Sequence, residues 1–152
     1  MTSTISAATL TVTHTEALTL NGVDRGVTNT LSIASINEVS HRIQTVTTSD
    51  ENSLVTLGAA AGAGTFVTSA VKYIRVTNKD DTNFITLGLE ASGDCAYVKL
   101  GAGQTFLIYS DDLDAAASSG IAHGSVSFGN ITGIVAKANT AAVDVEIFVA
   151  ST

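Results

Sequence analysis

Apolar and polar residues alternate along much of this chain, with the period of a β-strand that buries one face. The cleanest run is residues 142–150. It sets Val143, Val145, Ile147 and Val149 on one face and Asp144, Glu146 and Phe148 on the other. Residues 39–48 divide in the same way, with Val39, His41, Ile43 and Thr45 opposite Arg42, Gln44 and Val46. Residues 8–20 alternate threonine with Leu10, Val12 and His14, then carry Leu18 and Leu20. Leu31 and Ile33 alternate with Thr30 and Ser32. Shorter strands are predicted at 53–58, at Val126 and Phe128, and at 131–137. Residues 71–109 are the densest stretch. They predict a four-strand β-meander with turns at 78–83, 91–94 and 100–104. One helical turn is predicted at 110–117, with Ser110 as its cap, acidic residues in its first turn and Gly120 at its end.

The chain has no proline, so its turns fall to Gly, Asn and Asp, which tolerate positive φ or bond their own backbone. Asn21-Gly22 is a two-residue hairpin signal, and 58–64 is a loop of small residues. Many short strands punctuated by glycine predict an all-β fold: a single antiparallel β-sandwich, jelly-roll-like, with at most one short helix. Residues 1–10 are expected to form an extended N-terminal arm and residues 11–152 the sandwich. No internal repeat and no domain boundary is visible.

Composition narrows the function. A chain of 152 residues with 45% hydrophobic residues can build a core without disulfides or metals. Only 14% of residues are charged, so Thr, Ser, Asn and Gly must supply the polar surface. The net charge of −7, with no basic cluster and no Trp, argues against nucleic acid and anionic membrane as partners. Polar residues break every apolar run well before the ~20 residues that a membrane-crossing helix needs. The first residues lack the basic and apolar regions of a signal peptide, so Asn130-Ile131-Thr132 is read as a turn rather than a glycosylation site. Cys95 is the single cysteine and reads as a small, partly buried residue rather than a catalytic thiol.

Candidate chemistry is thin. His14, His41 and His123 have no metal-ligand spacing, although His14 and His41 occupy alternate strand positions that two strands could bring together. The Asp80-Asp81, Asp94 and Asp111-Asp112-Asp114 groups lack the spacing of a calcium loop and read as turn and cap residues. The glycine stretches at 58–64 and 101–103 are not followed by the Lys and Ser/Thr of a phosphate loop. No Gly-x-Ser-x-Gly elbow occurs. The expectation is a non-enzyme with no catalytic residue, cofactor or metal. Outward-facing aromatics remain as interface candidates: Tyr97, Tyr109 and Phe148.

Three stretches carry a resemblance. They are Val39-x-x-Arg42-Ile43-x-Thr45-Val46, then Tyr73-Ile74-Arg75-Val76-Thr77-Asn78-x-Asp80-x-x-Asn83-Phe84-Ile85-x-Leu87, then Val98-Lys99-Leu100-x-Ala102-Gly103-Gln104-x-Phe106. Over about residues 39–109 the chain resembles small virion structural proteins of tailed bacteriophages, among them the jelly-roll-like capsid decoration, or cement, proteins. The resemblance implies self-assembly, as a homotrimer, and docking on the major capsid protein or other virion proteins at the outside of the shell. It implies neither nucleic-acid nor membrane binding. A neck, baseplate or fibre-attachment module is the alternative within the virion. A carbohydrate-binding β-sandwich is the alternative outside it.

Overall fold

The computed structural model describes residues 4–91, 94–109, 114–115 and 129–152. Among these residues the chain is all-β with no helix. They cluster into two units, one ending at Glu38 and one spanning Val39–Ser151. The expected boundary at residue 10 falls inside the first strand, and no change of composition announces residue 38.

The first unit is a hairpin. β1 (Ala8–Glu16) leads to the short strands β2 (Thr19–Leu20) and β3 (Val23–Asp24), and β4 (Val27–Ile36) returns antiparallel beside β1. The tip turns at Asn21 and Gly22, whose φ angles are 52° and 77°. Two consecutive positive φ values make the type I′ turn that the Asn-Gly pair predicts.

The second unit is the sandwich. Its strands are β5 (Glu38–Val46), β6 (Asn52–Gly58), β7 (Thr65–Val67), β8 (Val71–Asn78), β9 (Ile85–Ala91), β10 (Asp94–Leu100), β11 (Thr105–Tyr109), β12 (Asp114–Ala115), β13 (Gly129–Asn130), β14 (Gly133–Ala138) and β15 (Val143–Ser151). One sheet has the order β10-β9-β14-β6-β7 and the other β11-β8-β15-β5. With β7, β12 and β13 set aside, eight strands remain. The first of these neighbours the eighth (β5·β15), the second the seventh (β6·β14), the third the sixth (β8·β11) and the fourth the fifth (β9·β10). That is one long hairpin rolled into two sheets, the topology of a jelly roll.

This order corrects the meander. The strands predicted within 71–109 are present, but β8 and β11 lie in one sheet and β9 and β10 in the other. The polar turns at 78–83 and 100–104 carry the chain between sheets instead of reversing it within one. Asn78 ties the two crossings together. It is fully buried; its Nδ2 donates to the carbonyls of Asn83 (2.9 Å) and Leu100 (3.2 Å), and its Oδ1 accepts from Asp80 N (2.9 Å). Its own backbone N donates to Gln104 O at 3.0 Å, and Gly103 N donates to Asp80 O at 3.1 Å. Asp80 Oδ1 closes the first crossing by accepting from the backbone N of Asn83 (2.6 Å) and then of Thr82 (2.8 Å), which lowers its pKa.

Between the sheets lies one aliphatic core. Val143, Val145, Ile147 and Val149 of β15 are buried as the alternation requires, and meet Val46, Leu54, Val55, Ile74, Val76, Ile85, Leu87 and Ile134. Both Leu54 and Val55 point inward because the β6·β14 register shifts between Ile134 and Val135. β7 has no counterpart in the sequence reading. It is three residues long, follows the small-residue loop and lies parallel to β6. The predicted helical turn is corrected where it can be seen: Asp114 and Ala115 pair as strand with Asn130 and Gly129. The rest of that turn, Gly120, His123, Val126, Phe128 and the turn residues Ser92 and Gly93 lie outside the described residues.

Candidate functional site

The outward face of the β11-β8-β15-β5 sheet gathers the most chemistry. On β15 the inward residues alternate with Asp144, Glu146 and Phe148, and the register places Phe148 beside Arg75 and Glu146 beside Thr77. Tyr109 stands opposite Tyr73, and Thr105 opposite Thr77. Directly opposed residues share a face, so Tyr109, Tyr73 and Phe148 all look outward.

β5 completes this face in a way that apolarity alone does not suggest. Its residues divide by parity as predicted, but the more apolar set points away from the core. Val39 and Ile43 are 54% and 63% exposed, while Ser40 and Gln44 are half-buried. The polar side bonds to the opposite sheet. Arg42 Nη2 donates to Leu54 O, and Gln44 Nε2 donates to Ser53 O at 3.0 Å, so both reach carbonyls of β6 in the opposite sheet.

A hydrogen-bonded network runs across all four strands. The Thr105 and Thr77 hydroxyls are 3.0 Å apart, and Arg75 Nη1 donates to Thr77 Oγ1 at 2.9 Å. Arg75 Nη2 donates to Glu146 Oε1 at 2.6 Å, and His41 Nε2 lies 2.8 Å from the same oxygen. Lys79 Nζ is 3.6 Å from Glu146 Oε2. Glu146 is the hub and is largely covered. The hydrogen bonds from Arg75 and then His41, with the positive charge of Arg75 and Lys79, outweigh the cost of burial and lower its pKa to about 2. A carboxylate held there is a poor proton donor and acceptor near neutral pH. Its work is to orient Arg75 and His41.

The aromatic side chains follow a diagonal beside this network. Phe148 packs on His41 (ring centroids 5.8 Å apart) and edge-on against Tyr73 (5.8 Å). Burial raises the pKa of the Tyr73 hydroxyl. Tyr109, 51% exposed, stands at the far edge of the sheet from Val39 and Ile43. With strands about 4.8 Å apart, the surface from β5 to β11 is about 14 Å wide.

Of the three predicted interface residues, the structure brings Phe148 and Tyr109 to this one face. Tyr97 stands on the other sheet, exposed on edge strand β10. There it lies opposite Gly88, where an added Cβ would come within 2.7 Å of Val135 Cγ2, 2.8 Å of Cys95 Sγ and 3.1 Å of Tyr97 Cε1. A bond to the Cys95 thiol, and then the charge of Cys95, Glu51 and Glu90, raise the Tyr97 pKa.

His14 stands in β1 with its Nε2 3.4 Å from Glu16 Oε1, and His41 belongs to the Glu146 network. Among the described residues no three His, Cys, Asp or Glu side chains cluster as metal donors. The Glu146 network itself is missing from the sequence reading. Its members lie 71 and 105 positions apart along the chain, and only the roll of the sheets joins them. The chain matches no protein-family model, no curated protein and no solved structure.

Proposed function

We propose that this protein is a structural component of a tailed-phage virion: a capsid decoration subunit that docks on the shell through the outward face of the β11-β8-β15-β5 sheet. The observation that carries the reading is the make-up of that face. Exposed Val39, Ile43 and Tyr109 flank half-buried Phe148 and a network in which Glu146 is paired with Arg75, Lys79 and His41. The ion pair of Glu146 with Arg75 lowers the cost of desolvating the centre of this surface, which is the usual obstacle to burying polar groups at an interface. About 800 Å² per partner makes a standard interface, and many copies on one lattice add avidity. The jelly-roll topology and the resemblance over about residues 39–109 support the same reading.

The test is to mix purified protein with shells that lack it and to image the particles. Density spread over the shell at stoichiometric occupancy is expected. Density confined to the tail axis would replace the shell with a neck, baseplate or fibre site. No density on shell or tail would overturn the proposal.

A further inference from the structure

His41 stands on β5 between Val39 and Ile43, two residues from each and on the same side of the strand. Its side chain is 56% exposed, and its ring packs on Phe148. Its Nε2 lies 2.8 Å from Glu146 Oε1, the oxygen that also accepts from Arg75 Nη2 at 2.6 Å. A carboxyl group whose pKa is lowered to about 2 is ionised near neutral pH, and an ionised carboxylate only accepts. Nε2 must therefore carry a proton to make this bond. In the neutral ring the other nitrogen, Nδ1, is then left with a lone pair. Among the described residues nothing bonds Nδ1.

We infer that His41 is the polar residue that sets the specificity of the docking face: held by Glu146 with its proton on Nε2, it offers Nδ1 to a neutral N–H or O–H donor of the shell. The inference rests on the docking reading of this face and adds the chemistry of the partner group. Docking takes Nδ1 out of water, and an acceptor buried without a donor is costly, so the partner has to supply one. Val39 and Ile43, on either side of the ring, exclude water from that contact, as apolar neighbours do around the central residue of an interface. Charge selects a neutral donor. Glu146, the carboxylate that holds the ring, is already paired with Arg75 and Lys79, so a lysine or arginine of the partner would be buried without a counter-charge. A carboxylate has no proton to give. A backbone amide, a side-chain amide or a hydroxyl fits. Glu146 acts here as a positioning residue, through the ring that it orients.

Shells lacking the protein, titrated with the full chain, test the contact. His41→Phe keeps a ring against Phe148 but has no acceptor. It should raise the half-saturating concentration about tenfold, the weight of one hydrogen bond lost at a buried contact. His41→Asn sets a carbonyl oxygen on the same Cγ and should bind more nearly as the parent does than as His41→Phe. Circular dichroism first shows that each variant is folded. Nitrogen NMR of the isotope-labelled ring, at a pH where it is neutral, reads the proton's place without the shell. The parent should carry it on Nε2 alone. Glu146→Gln should spread it over both nitrogens, because an amide can donate as well as accept. Parent-like binding by His41→Phe, binding by His41→Asn as weak as that of His41→Phe, or a proton on Nδ1 in the parent would overturn the inference and leave the docking face standing. A parent chain that does not bind the shell would overturn the docking reading, and this contact with it.

Discussion

Asn78 serves three backbone groups with one buried amide. Asn78→Ala leaves two carbonyls and one N–H without partners at the junction of the two sheet crossings. We expect a loss of about 2 kcal/mol in denaturant unfolding, from the cost of burying unsatisfied groups. Glu146 makes a different demand. Its pKa is about 2 in the folded chain against an ordinary 4.5, so its stabilisation is complete above about pH 4.5 and disappears as the pH falls toward 2. In Glu146→Gln this part of the acid destabilisation should vanish, which unfolding midpoints measured across that range will show. The turn role of Asn78 and Asp80 is legible in sequence because side-chain-to-backbone bonds are local. The hub role of Glu146 is not, because its partners arrive from other strands.

Single elements show why strand patterns are legible and sheet membership is not. β15 follows its alternation position by position, since a central strand between two neighbours has one buried face. β5 follows the parity of its pattern but exposes Val39 and Ile43, while Arg42 and Gln44 on its other side bond carbonyls of β6. β8 to β11 read as a meander because each strand and turn resembles a hairpin locally; only the non-local pairings reveal the crossings. Gly88 marks a further constraint, where β9 lies beneath Val135, Cys95 and Tyr97. Gly88→Ala should destabilise the β10-β9-β14 region by about 2 kcal/mol through overpacking. Thermal unfolding will report the loss, and Tyr97 fluorescence the displaced ring.

At the scale of the whole molecule, both units are mildly acidic. The unit ending at Glu38 carries Arg25 against Glu16, Asp24 and Glu38, and the unit 39–151 six Lys/Arg against eleven Asp/Glu together with an outward face that holds Val39, Ile43, Phe148 and Tyr109. The central claim is that the β11-β8-β15-β5 face is the docking surface. Its most direct test is the occupancy of shells lacking the protein by the parent chain, by Ile43→Glu and by Tyr97→Glu, each first shown to be folded. We predict that Ile43→Glu lowers occupancy at least about tenfold, the effect of some 1.4 kcal/mol at each contact, while Tyr97→Glu on the opposite sheet binds as the parent does. Full occupancy by Ile43→Glu, or its loss in Tyr97→Glu, would contradict the account.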